Sequence, residues 1–177
     1  MAEAPETPQG GAANQSNQPR LMIQTQYVKD LSFENPRGPL SLTAERQFQV
    51  QIRELQVERQ RLSADQHEVT LDLQLQGLSG EDTVFVLELV YAGVFVVLNV
   101  PETSLEPFLL IECPRLLFPF ARRIIADATR DGGFPPLLLD PIDFVGLYRR
   151  RQQPAEAPAG REGQAVPNPI IGDGEAV

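Results

Sequence analysis

The sequence predicts an α+β fold: a four-stranded antiparallel meander sheet with C-terminal helices packed outside, and sheets that stack on oligomerisation. Three observations lead there. Residues 66–76 alternate apolar and polar side chains, the mark of a strand with one buried face. The run from Thr83 to Val100 is dense in β-branched and aromatic residues. After Pro101 the apolar spacing changes from two to three and four, the period of a helix.

The two ends are expected to be disordered. Residues 1–19 contain Pro5, Pro8, Pro19, Gly10 and Gly11, and residues 152–177 are rich in Pro, Gly, Ala and Glu, with Ile170 and Ile171 as a small apolar pair. Such composition buries too little surface to offset chain entropy of ~1–2 kcal/mol per residue. One domain over residues 20–151 remains.

Within it a first strand is expected from Ile23 to Phe33, followed by a loop at Pro36, Gly38 and Pro39. The second carries Phe48, Val50 and Ile52 on one face; the phase then slips, so that Leu55 and Val57 are apolar, which places one irregular residue near Arg53 or Glu54. In the third, His67, Val69, Leu71, Leu73 and Leu75 point one way and the polar residues the other. A turn over Leu78–Asp82 leads into the fourth, where Gly93 suggests a bulge or kink. Short turns between successive strands imply a meander. A short helix is expected from near Ser104, with Pro107 in its first turn and an end before Pro114. A second should carry Leu116, Leu117, Phe120, Ala121, Ile124, Ile125 and Ala128 on one face, closed by Gly132 in a left-handed conformation, and a third should run from Asp140 or Pro141 to about Gln152.

Long strands buried on both faces need more cover than these helices give, so a further copy of the sheet is the expected lid. The inventory narrows function. Fifteen basic against 24 acidic residues give a net charge of −9, which argues against nucleic acid. One cysteine, Cys113, and one histidine, His67, leave no internal disulfide, no structural zinc set and little for acid–base catalysis. Cys113 reads as a buried small hydrophobe and His67 as a satisfied core or interface histidine. No cofactor, metal or catalytic residue is expected, and no phosphate-binding glycine loop occurs. Val84–Val100, interrupted by Glu88 and Asn99, falls short of a membrane-spanning helix, and the first residues lack a secretory pattern. A cytoplasmic location without membrane insertion is expected.

Three stretches resemble the SecB family of bacterial protein-export chaperones. They are Tyr27-Val28-Lys29-Asp30-Leu31-Ser32-Phe33-Glu34-Asn35-Pro36; Gly80-Glu81-Asp82-Thr83 with the strand to Tyr91 and Gly93-Val94-Phe95; and Cys113-Pro114-Arg115-Leu116-Leu117-Phe118-Pro119-Phe120-Ala121-Arg122, continued by Gly133-Phe134-Pro135 and Leu139-x-Pro141-Ile142-x-Phe144. The resemblance implies a homotetramer, a dimer of dimers, that binds unfolded preproteins and passes them to the SecA motor ATPase. It implies a SecA-docking surface at Asp30, Glu34, Val86 and Glu88, and an oligomer interface at Leu87, Leu89 and Tyr91, for which intrasubunit core is the competing reading. Client binding calls for exposed apolar grooves, with Val50, Ile52, Phe144 and Tyr148 as contributors and ordinary helix-on-sheet packing as the competing reading of each. The alternative is a small-ligand carrier with lipid-like cargo in a β-sheet cavity, which predicts an enclosed cavity and a monomer.

Overall fold

The structure, a computed structural model, describes residues 18–42 and 48–153; most of both expected tails, 1–17 and 154–177, lies outside the described residues. Strands β1 (Arg20–Glu34), β2 (Gln49–Arg61), β3 (Gln66–Ser79) and β4 (Asp82–Leu98) precede two helices, α1 (Glu102–Asp131) and α2 (Phe144–Gln152). All strand pairs are antiparallel. The α+β class and the four-stranded antiparallel sheet therefore match the sequence reading.

Strand order departs from a full meander. It runs β1-β4-β3-β2, so β2, β3 and β4 form successive hairpins while β1 lies beside β4. The connections explain the difference. Gly80 opens the tight β3–β4 turn with φ 63°, as primed hairpin turns require. Between β1 and β2 the chain instead makes a short 3₁₀ turn, Gly38–Leu42, before reaching the far edge of the sheet. A link of that length suits the return crossing of a Greek key.

Residues paired across antiparallel strands share a face, so the register divides the side chains into two sets. On one face His67, Val69, Leu71, Leu73 and Leu75 of β3 join Phe85, Leu87, Leu89, Tyr91 and Phe95 of β4, all buried. Helix α1 contributes Leu109, Cys113, Leu117, Ala121 and Ile125 to the same core, four residues apart and each fully buried. Leu87, Leu89 and Tyr91 are thus core residues of the single chain, which corrects their expected place at an oligomer interface. Strand alternation tells which side chains share a face but not which lid covers them.

Helix α1 also corrects the expectation of a break before Pro114. It runs unbroken through Pro107, Pro114 and Pro119. Each proline removes an amide donor and crowds the carbonyl four residues back, a cost of about 3 kcal/mol in a helix interior. The apolar stripe outweighs this locally, since each fully buried large side chain is worth about 1.5–3 kcal/mol. At its end Gly132 keeps a helical φ of −73°, and it is Gly133, at 87°, that takes the left-handed conformation. Helix α2 begins later than expected, at Phe144, because the Asp143 carboxylate accepts the Gly146 amide at 3.0 Å and sets the N-terminus there.

The irregularity near Arg53 is present as a register shift between Ile52 and Glu54. Gly93 is not bulged; it pairs in register with Gln26 and Val69. What requires glycine there is the helix above, because a Cβ would lie 2.8 Å from Leu117 Cδ2. The bulges next to β4 fall on β1 instead, between Ile23 and Thr25 and between Val28 and Asp30.

Candidate functional site

Among the described residues no helix lies over the second face of the sheet. The register lines up Asp30–Val90–Asp72–Gln56 in one row, Ser32–Glu88–Gln74–Glu54 in the next, and Glu34–Val86–Gln76–Gln51 beyond. Asp30, Glu34, Val86 and Glu88, which lie far apart in sequence, therefore occupy three adjacent rows of β1 and β4 on one face. Asp30 and Glu34 are exposed, while Val86 and Glu88 are half-buried between neighbouring strands.

The acidic band continues past the residues singled out from the sequence. Asp72 on β3 and Glu54 and Glu58 on β2 extend it over all four strands. Burial first, then the like charges of Glu54, Glu88, Glu58 and Asp30, push the Asp72 carboxyl above its usual range. Its Oδ1 is buried and accepts no hydrogen bond among the described residues. The alternation of β3 had placed Asp72 on the polar face, but only the β4 register shows that it stands beside Asp30 and Glu88.

Nearby, a cation balances one carboxylate. Lys29 Nζ lies 2.9 Å from Glu68 Oε2, and the Tyr27 hydroxyl donates to the same carboxylate. Both reach from β1 to β3 across β4, where Ala92 leaves room above the backbone. The Tyr27 hydrogen bond, then that of Lys29, holds Glu68 below the usual carboxylate range. This end of the face is a local tie between strands, and the end around Asp72 is left with uncompensated negative charge.

A groove of about 440 Å³ lies at the β2 edge of the sheet, where β2, α1 and α2 meet. Leu55 and Val57 come from β2, Leu110 from α1, and Leu147 and Tyr148 from α2; Gln56, Glu58, Arg150 and Arg151 complete the lining. Arg151 Nη1 donates to the Val57 carbonyl at 2.7 Å and fixes α2 against β2. Of the residues expected to line a client groove, Tyr148 does so. Val50 and Phe144 are corrected to core positions: both are buried, and Phe144 packs edge-on against Phe118 with ring centroids 6.1 Å apart. Ile52 is exposed on β2 but outside this groove. Leu55, Leu110 and Leu147 were not singled out, although the apolar phase after the Arg53 bulge already marked Leu55 and Val57.

His67 and Cys113 sit in the core. Burial, with help from Arg61 and Arg59, lowers the His67 pKa and keeps the ring neutral, and burial raises that of the Cys113 thiol and keeps it protonated at neutral pH. Among the described residues no group of three or more His, Cys, Asp or Glu side chains is placed to hold a metal ion. Nor, among the described residues, is any helix long and apolar enough to cross a membrane.

Comparison with known proteins agrees with the geometry. Residues 14–155 match the family described as preprotein translocase subunit SecB. The protein-export protein SecB of Maricaulis maris is 53% identical over 149 residues, covering 84% of this chain and 86% of its own length. That of Parvibaculum lavamentivorans is 54% identical over 151 residues, covering 85% and 89%. Among solved structures, a SecB-like chaperone of Mycobacterium tuberculosis in complex with an antitoxin peptide superposes with a TM-score of 0.60 at 18% identity, over 70% of this chain and 91% of that one, a likeness of fold. An α+β sheet with one open acidic face, together with matches over most of the chain, makes this protein a member of the SecB family of protein-export chaperones.

Proposed function

We propose that this chain holds unfolded preproteins in apolar grooves and delivers them to the SecA motor ATPase through the open face of its sheet. It does so in the cytoplasm as a homotetramer, a dimer of dimers, with residues 20–151 as the working domain and without catalysis. The observation that carries the reading is the convergence of Asp30, Glu34, Val86 and Glu88 on one uncovered face. Carboxylates around a half-buried valine attract a basic docking segment and give it an apolar contact to settle on.

The groove supports the holding step. Its lining mixes Leu55, Val57, Leu110, Leu147 and Tyr148 with polar and charged side chains, and it is partly open, which fits a passing chain segment better than an enclosed lipid. A holder of this kind binds the unfolded state and lowers its free concentration by mass action. Assembly has a surface to use. Ile23, Val28 and Leu31 on β1 and Leu116 and Phe120 on α1 are large apolar side chains left exposed in the single chain.

The test joins three measurements on the full chain. Native mass should give a tetramer, and the protein should delay refolding of a denatured polypeptide. Asp30→Lys with Glu88→Lys should weaken SecA binding by at least about tenfold at physiological salt, leaving mass and refolding delay unchanged. A monomer without effect on refolding would discard the reading. Unchanged SecA binding would discard the docking face alone.

A further inference from the structure

We propose that the chain's own segment around Ile170-Ile171 seats in the groove between β2, α1 and α2 and competes there with clients. The competition, though not the seating, rests on the client-binding role proposed above for that groove. Leu55, Val57, Leu110 and Leu147 make its lining apolar, and Arg150 and Arg151 stand at its α2 side. Glu58 is the acidic member of the lining, on β2, next to Val57, whose carbonyl accepts from Arg151.

Residues 154–177 continue from Gln153, two positions beyond Arg151, so this stretch departs from the rim of the groove itself. Within it Ile170 and Ile171 form a pair of large aliphatic side chains, bracketed by Pro169 and Gly172 and followed by Asp173 and Glu175. Two aliphatic side chains followed by two carboxylates complement a groove that is apolar in its middle and carries guanidinium groups at one side. The reach is sufficient, since a length of about 17 residues spans roughly 20–25 Å even as a coil. Tethering holds the segment at an effective concentration on the order of millimolar, so even weak intrinsic affinity fills the groove for much of the time. Pro169 reduces the chain freedom that seating removes.

An occupant of this kind is displaced by any client that binds well and excludes those that bind poorly. It sets a threshold of stickiness for cargo and keeps the apolar lining covered between cargoes.

The test compares the full wild-type chain with the full chain carrying Ile170→Ser and Ile171→Ser, by hydrogen exchange and by affinity for reduced, alkylated lactalbumin. Wild type is expected to exchange several-fold more slowly than the variant across 55–58 and 144–151. The variant is expected to bind lactalbumin about three- to tenfold more tightly, the relief from a tethered competitor. Equal exchange in both segments overturns the proposal whatever the lactalbumin affinity. Slower exchange in wild type with equal affinity keeps the seating and overturns the competition. If neither protein binds lactalbumin, the holding function falls while exchange still decides the seating.

Discussion

On the covered face of the sheet, Leu71, Leu73, Leu75, Leu87 and Leu89 are fully buried; one residue along the same strands, Asp72, Gln74 and Glu88 stand on the open face. The backbone and hydrogen bonds are common to both, so the difference lies in the side chains alone. The covered face packs, and the open one carries charge. A substitution on the first face should therefore act through stability, and one on the second through charge and recognition.

The largest expected effect is on the covered face. Leu89→Ala should lower unfolding free energy by about 2–5 kcal/mol, read by denaturant titration. A loss under about 1 kcal/mol would mean that the site collapses freely, and the comparison would blunt. Overpacking comes next. A Cβ at Gly77 would lie 2.4 Å from Phe85 Cε1, and that ring is hemmed in by Phe33, Phe48 and Phe134 at centroid distances of 5.7, 5.6 and 5.1 Å. Gly77→Ala should cost about 1–3 kcal/mol, with broadened Phe85 ring resonances in NMR spectra.

The open face should respond less, and in a pH-dependent way. Glu68 is held below its unfolded value by Tyr27 and Lys29. Its contribution is present above the unfolded carboxylate value of about 4.3 and disappears as pH falls through the lower folded one. Glu68→Gln should cost about 1 kcal/mol at neutral pH, and the difference from wild type should close on strong acidification. Asp72 has the opposite sign, because its folded value is raised. Its penalty is absent below the unfolded value and grows as pH rises through the folded one. Asp72→Asn should stabilise the fold by a few tenths of a kcal/mol at neutral pH and change little in acid. A loss of stability at neutral pH would show that Asp72 has a compensating partner.

The sequence allowed most of the strands to be read, because alternation in β3 and the slip at Arg53 are local signals. It did not show that β1 lies beside β4, since strand order depends on where a long connection leads. Nor did it show that α1 is continuous: Pro114 marks a break locally, and the buried stripe from Leu109 to Ile125 overrides it only once the sheet is present. Asp30, Glu34, Val86 and Glu88 entered through motif resemblance, whereas their neighbour Asp72 needed the register. Leu87 and Leu89 could not be divided between core and interface by period alone.

Helix α1 has a consequence for how the protein is made. With Pro107, Pro114 and Pro119 inside it, this segment lacks the propensity to coil by itself and must be templated by the strands beneath. Those strands all leave the ribosome first. At bacterial elongation rates of roughly 5–20 residues per second, the nascent sheet waits a few seconds with its greasy side bare. During its own synthesis, then, this member of an export-chaperone family passes through a stage in which its own apolar surface lies open to water.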